Sequence, residues 1–341
     1  MFAQQQYYQP TTNCFSIPDE GTASLSWQTD FQSASQVSRA LSRLGKSFDV
    51  LQLSPGSLHG HFAVAHLSGL SIFSIYTNQR LLLNGERGKD CTSFCLEASG
   101  HHRDHRVHAE SISAYSLHGF KPDLLESHFQ LTAGSNTIFA ITSSKRFGTF
   151  LERCGLSEVR ETLHNSNSLA LSPLLHNQIK HQLCWYINNP LTAPEQRSMH
   201  AGHIYTMMMQ IFSTPNQKDF QSFEITPRQK LVHEFVSWGF QNTKRPITLD
   251  EVSNLMFSSR RTLIQGCKEN FNKGPMELLR DIRLEQVNVM LRSEKARASL
   301  KLNTVGAIAA HFGFTSRGHF SAAYQKYFEE TPKQTLTKTK T

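Results

Sequence analysis

Four positions near the end of this chain recur at one interval. Leu263, Cys267, Phe271 and Pro275 are answered 57 residues later by Phe320, Tyr324, Phe328 and Pro332. Ahead of them, Val252 and Ser259 are answered by Ile308 and Thr315 at an interval of 56, so the second copy has one extra residue in its turn. The second copy, TVGAIAAHFGFTSRGHFSAAYQKYF, reads as a helix, a tight turn at Gly313 and another helix. Two such units with matched apolar positions are hard to obtain by chance. They restrict the last third of the chain to an all-helical domain built around a duplicated helix-turn-helix.

A helix-turn-helix lays its second helix in the DNA major groove, which requires an apolar stripe towards the domain and polar side chains on the opposite face. Leu263, Cys267 and Phe271 supply the stripe in the first unit. Arg261, Gln265 and Lys268 share the outer face. Arg261 can bond a guanine edge bidentately and Gln265 an adenine edge. Arg260, Thr262 and Lys268 are placed for phosphates, which fix register without reading sequence. In the second unit Arg317, Ser321 and Gln325 share the outer face, with Arg317 and Ser321 as base readers. His319, Gln325 and Lys326 are assigned to phosphates. The unequal offer continues at matched positions, where Gly318 stands for Arg261 and Ala322 for Gln265. Between the units, KGPMELLRDIRLEQVNVML predicts a helix from Pro275 to about Leu291. It would be roughly 25 Å long, the scale of a strut between successive major grooves.

Charge agrees with a polyanionic partner. Residues 225–341 hold 19 Lys/Arg against 10 Asp/Glu, while residues 1–224 hold 16 against 17. All of the excess positive charge is therefore at the carboxy-terminal end, and residues 225–341 are expected to bind DNA on their own. The helix starts are also marked. Thr226 precedes Pro227, Thr248 precedes an acidic first turn, and Ser258 or Ser259 precedes the first reading helix.

Residues 227–336 resemble the DNA-binding domain of the AraC/XylS family of bacterial transcription regulators. The resemblance is carried by SSRRTL, by the proline and following helix of KGPMELLRDIRLEQVNVML, and by TVGAIAAHFGFTS…HFSAAYQKYFEETP. It implies a bacterial protein, a seven-helix domain with two helix-turn-helix units, double-stranded promoter DNA as partner, RNA polymerase as a further partner, and activation as the commonest outcome. Gly318 and the pair Gly266–Cys267 depart from the family pattern, which has a small polar residue at the first position and a bulky apolar one at the second of the pair.

The first two thirds are less specific. From residue 45 to about 155, short apolar or alternating runs are broken by SPG, SG and NGE, which suggests a small barrel or sandwich. SLSWQTDF offers a short strand within the Ser/Gln-rich stretch 21–44. LSPGSLHGHF and the runs after it faintly resemble the sensor half of ethanolamine-operon regulators. In the wider family this half is often a cupin-like barrel that binds a small-molecule effector. The expected fold class is therefore α+β in several domains. A β-rich, cupin-like amino-terminal sensor domain ends in helices and is followed by the all-α double helix-turn-helix domain. The expected boundaries are 1–20 for a flexible tail, 21–212 for effector sensing and dimerisation, 213–226 for a linker, and 227–336 for DNA binding. In LSPLLHNQIKHQLCWYI, the residues Leu175, Ile179, Leu183 and Ile187 form an apolar stripe, either a homodimer surface or a face packed on the chain's own barrel.

Several classes are disfavoured. No apolar run is long enough to span a membrane, and MFAQQQYYQPTTN has neither the basic nor the apolar region of a signal peptide, so a cytoplasmic, nucleoid-bound protein is expected. The six cysteines are scattered, which suits a reducing compartment. His59 and His61 have the spacing of a cupin metal pair, yet Ala63, Val64, Ala65 and His66 follow where a carboxylate is needed. The run HHRDHRVH (101–108) sets arginines beside its histidines. No nucleophile with a placed base and no phosphate loop is visible, so neither an enzyme nor a cofactor or metal site is expected. The alternatives are a metal-binding cupin enzyme with an accessory DNA-binding domain, and a methyl-accepting repair enzyme. The second needs a tight four-cysteine cluster that Cys14, Cys91, Cys95 and Cys154 are too dispersed to form.

Overall fold

The computed structural model describes residues 26–86, 90–101, 105–107, 110–121, 126–189, 191–213, 219–222, 224–242 and 246–338. The stretch read as a tail, 1–20, lies outside them. Thirteen short strands among the described residues form two antiparallel sheets. The larger runs in the order β1 (Trp27–Phe31), β3 (Gly60–Leu67), β4 (Leu70–Thr77), β11 (Ser135–Ser143), β6 (Cys91–Glu97), β9 (Ser116–His118), β12 (Ser166–Ala170) and β13 (Phe220–Ser222). The smaller runs β2 (Phe48–Gln52), β5 (Leu81–Glu86), β10 (Glu126–Leu131), β7 (Arg106–Val107) and β8 (Glu110–Ser111). Their inner faces enclose one core, with Val50, Leu81, Leu83 and Phe129 on the small sheet and Phe62, Phe73, Ile75, Phe139 and Ile141 on the large one. Trp27, Phe62, Phe73 and Phe139 stack in a row, with centroids 5.4, 5.5 and 4.6 Å apart. One end is closed by helix α1 (Ala34–Arg43), which the Ser/Gln-rich composition concealed. Its Val37, Ala40 and Leu41, spaced for one helical face, are buried in that core.

The outer face of the large sheet is covered by α2 (Ser144–Arg153), α4 (Pro173–Asn188) and α5 (Pro194–Ser213), with α3 (Ser157–Asn165) at the edge. Leu70, Ile72, Ile138 and Ala140 meet Ile179, Leu183, Ile204, Met208 and Ile211 there. The Leu175–Ile187 stripe is thus spent within the chain. Ile179, Leu183 and Ile187 are buried, and Leu175 packs beside them. Part of the stretch read as a linker also belongs to the sheet, since β13 pairs with β12 through Phe220–Leu169 and Gln221–Ser168.

The outer face of the small sheet is covered by the carboxy-terminal helices. Leu51, Leu53 and Leu82 share one core with α6 (Pro227–Gln241), α8 (Arg260–Phe271) and α9 (Pro275–Arg292), through Val232, Phe235, Val236, Phe271, Leu279 and Ile282. Because side chains alternate along a strand, Val50 and Leu83 point into the barrel while Leu51 and Leu82 point at the helices. Polar contacts pin this junction. Asn84 Nδ2 donates to Ser237 Oγ at 3.0 Å, Gln130 Nε2 to the Asn270 carbonyl at 3.0 Å, and the rings of His128 and His233 stack 4.0 Å apart.

Candidate nucleic-acid interface and effector cavity

The two units repeat in structure as they do in sequence. In the first, α7 (Leu249–Leu255) turns into α8; in the second, α11 (Val305–His311) turns into α12 (Arg317–Phe328). Thr248 and Thr304 cap the first helices by accepting from the backbone N–H groups of Glu251 and Ala307. Ser259 and Ser316 cap the second helices by accepting from Thr262 N–H at 3.1 Å and His319 N–H at 3.4 Å. Both second helices stop on a left-handed residue, Asn272 and Glu329. The turns differ. Gly313 takes the left-handed conformation in the second, and Phe257 takes it in the first, with its side chain 99% exposed.

The strut helix α9 buries Leu278, Leu279 and Ile282 against the first unit and Leu284, Val287 and Leu291 against the second. Cys267 is fully enclosed, and burial pushes its thiol up to about 12, so it packs as a small apolar group. Its counterpart Tyr324 is also enclosed. The Tyr324 hydroxyl accepts from Asn288 Nδ2 at 2.7 Å and lies 2.9 Å from the Thr335 hydroxyl, which ties α12 to α9 and α13 (Pro332–Lys338). Helix α10 (Glu294–Leu300) links the units.

On the outer side of α8, Arg260, Arg261, Gln265 and Lys268 are exposed and Thr262 is half-buried at the capped end. Arg260 is ion-paired with Asp250 of α7, which anchors it at the entry of the helix. Gln265 donates to Glu269 at 2.9 Å, and Arg228 of α6 bonds both Glu269 oxygens, at 2.7 and 2.9 Å. The bonds from Gln265 and then Arg228 hold the Glu269 carboxyl below the usual range. On α12, Arg317, His319, Ser321, Gln325 and Lys326 are all exposed, as is Gly318 between them. Glu269 and Arg228 were not among the residues singled out by sequence. The four-residue spacing from Gln265 to Glu269 was visible, but Arg228 comes from 41 positions away.

The barrel interior holds a narrow cavity of about 40 Å3. Its walls are mostly apolar, with Phe48, Phe73, Phe129, Phe139 and Ile141 among them. Lys46 also lines it and is itself buried, its ammonium 3.4 Å from Cys91 Sγ. No motif marked this lysine, which in the sequence looks like part of a solvated turn. The histidines run otherwise. His61 Nδ1 lies 2.8 Å from an Asp30 carboxylate oxygen, while His59 Nδ1 lies 3.2 Å from the Ser57 carbonyl. His105 is buried and His101 exposed; residues 102–104 and 108 lie outside the described ones. Among the described residues no three His, Cys, Asp or Glu side chains group as metal ligands.

This geometry defines a DNA-binding domain of the double helix-turn-helix class. Residues 252–338 match the family described as "Helix-turn-helix domain", and this part of the chain is a helix-turn-helix domain of the AraC type. Its curated relatives include the XylDLEGF operon transcriptional activator of Pseudomonas putida, 23% identical over 158 residues, which are 46% of this chain and 47% of that protein. They also include the HTH-type transcriptional regulator ArgR of Pseudomonas aeruginosa, 30% identical over 93 residues, covering 27% of this chain and 26% of that one. The match thus spans less than half the length of either relative. Among solved structures, a probable AraC family transcriptional regulator from Rhodopseudomonas palustris is 26% identical, covering 32% of this chain and 97% of that one, with a TM-score of 0.29. The AraC-like transcriptional activator CuxR is 14% identical, covering 77% and 96%, with a TM-score of 0.41. No helix among the described residues is long and apolar enough to cross a membrane.

Proposed function

We propose that the chain is a sequence-specific, DNA-binding transcription regulator of the bacterial nucleoid, with activation through contact with RNA polymerase as its mode. The carrying observation is the pair of capped reading helices, α8 and α12, each with an exposed polar outer face, fixed to one strut helix. Arg261, Gln265, Arg317 and Ser321 read bases in this proposal. Arg260, Thr262, Lys268, His319, Gln325 and Lys326 hold phosphates. A homodimer would need a surface other than the Leu175–Ile187 stripe, which the barrel already covers. The test uses the full chain, because residues 225–341 alone would uncover the face that Leu51, Leu53 and Leu82 protect. Selection from a random DNA library should enrich one motif, and affinity for it should fall steeply with salt. Failure to bind any DNA at low salt would overturn the proposal.

The effector reading rests on the barrel cavity. Mostly apolar walls with one ammonium among them favour a small apolar molecule that carries an acid group, since a carboxylate accepts from an ammonium where water is excluded. Thermal melting should show stabilisation by an alkyl or aromatic carboxylate, none by the matching alcohol, and loss of the effect in Lys46→Met. Equal effects of acid and alcohol would refute this ligand class. The walls suit transmission as well, since Phe48 and Leu83 line the cavity while their neighbours Leu51 and Leu82 pack on the DNA-binding domain.

A further inference from the structure

The outer face of α8 carries a chain of contacts that α12 lacks. Gly266 is buried where α6 crosses α8, and a Cβ there would lie 2.7 Å from Val232 and 3.1 Å from Arg228 Cγ. The missing side chain lets the Arg228 stem lie across the reading helix. Its guanidinium then reaches Glu269, and Glu269 accepts from Gln265 Nε2. At the matched positions of the second unit, 57 residues on, Gly266, Gln265 and Glu269 are replaced by Ala323, Ala322 and Lys326.

A carboxamide on a helix surface is free to turn over, and its two ends present opposite groups to a base. To bond adenine it must donate from nitrogen to N7 and accept at oxygen from N6. A carboxylate only accepts, so only the amide nitrogen of Gln265 can face Glu269. One N–H and the oxygen then remain for the groove, in a fixed order along the helix. A carboxylate on a DNA-facing surface is also repelled by phosphates, a cost that the bonds from Arg228 to Glu269 offset.

We infer that Glu269, held by Arg228, is a specificity-determining positioning residue: it sets which way the Gln265 amide faces and so which base Gln265 selects. This rests on the reading that α8 enters the groove. Removing Glu269 frees the amide to turn, and Gln265 then accepts more than one base.

The test measures binding of the full chain to its selected motif and to every single-base variant of it, in parent, Gln265→Ala, Glu269→Ala, the double variant and Arg228→Met. The Arg228→Met side chain keeps the stem over Gly266 and drops the guanidinium. Gln265→Ala should identify one base pair whose preference is about fivefold or more in the parent. Glu269→Ala should flatten preference at that same base pair to within about twofold and leave the others unchanged. Arg228→Met should flatten it less, and adding Glu269→Ala to Gln265→Ala should change preference no further. A Glu269→Ala variant that binds all sequences more tightly by one factor, with its preferences intact, would reduce Glu269 to a repulsive charge and overturn the inference. So would a variant with unchanged binding. Absence of any DNA binding by the parent is a different result, which removes the reading of α8 and this inference with it.

Discussion

The first helix-turn-helix unit meets the small sheet through a shared apolar core, whereas the second meets the amino-terminal half where helix α12 ends. Helices α6, α8 and α9 close one core with Leu51, Leu53 and Leu82. The second unit has its own core of Ile308, Phe312, Phe320, Tyr324 and Phe328 around the far half of α9. It contacts the amino-terminal half through the Tyr327 carbonyl, which accepts from Gly56 N–H at 2.9 Å, the Tyr327 hydroxyl, which donates to the Gln52 carbonyl, and Glu329, which accepts from Ser57 N–H at 3.2 Å. Duplicated units therefore acquire different work from what lies behind them. A movement of the small sheet acts on the first unit through packed side chains and on the second through the contacts at the end of β2 and the residues after it, 52–57.

The largest effect that separates the units is cavity formation along the strut. Leu279 and Leu291 are both fully buried, one in each core. Leu279→Ala and Leu291→Ala should each cost about 2–5 kcal/mol in urea unfolding. Leu279→Ala should speed amide exchange in β2 and β5 as well as in α6 and α8, while Leu291→Ala should confine faster exchange to α11, α12 and α13. Faster exchange in β2 and β5 after Leu291→Ala would show that the units are coupled to the sheet alike.

Next comes the residue placed between the two cores. Glu285 of α9 is buried and accepts from Gln52 N–H at 3.3 Å, and burial raises its carboxyl to about 8. A folded-state value above the unfolded one means that the folded chain binds this proton more tightly. The associated stability is complete below about 4.5 and is lost as the pH rises through about 8. Glu285→Gln keeps the shape and the acceptor but not the charge. It should be near neutral at pH 5 and more stable than the parent at pH 9, by on the order of a few kcal/mol. Urea midpoints that differ by the same amount at both pH values would remove the buried ionisation from the account.

At the DNA surface the comparison becomes one of reach. Arg261→Ala should cost roughly 1–3 kcal/mol at the selected motif and relax one or two base pairs, and Ser321→Ala should cost less. Lys268→Ala should weaken selected and scrambled DNA alike and shrink the salt slope by about one. Fluorescence anisotropy on both DNAs orders the three. A larger loss from Ser321→Ala would make α12 the main reader.

Much of this architecture could be read from residues alone, because caps, prolines and apolar intervals act locally. Thr226, Thr248 and Ser259 start their helices where the pattern placed them, and α9 runs from Pro275 to Arg292, one residue past the expected end. What stayed hidden depends on partners far along the chain. The Leu175–Ile187 periodicity gave a helix but not the surface it covers. Leu51 and Leu82 read as strand residues, and nothing near them in sequence says that one face of their sheet belongs to another domain. Lys46 and Arg228 act through groups brought beside them by folding, Cys91 and Glu269 among them.

The smallest effect concerns the two turns. Gly313 has φ 81° and bears no Cβ penalty there; Phe257 has φ 48°, a conformation that costs an ordinary side chain about 1 kcal/mol or more. Its phenyl group recovers none of that by burial, being 99% exposed. Phe257→Gly should therefore stabilise the first unit by about 1 kcal/mol, less whatever the freer glycine costs in the unfolded chain. The reciprocal Gly313→Ala should destabilise the second unit by a similar amount. Paired thermal melts give the two signs. If affinity for the selected motif is unchanged in Phe257→Gly, the aromatic turn is simply the poorer of two solutions to one bend. A drop in affinity with a gain in stability would mean that the strained phenyl touches DNA just ahead of Arg260 and Arg261, adding to the first unit a contact that the second gives up for its glycine.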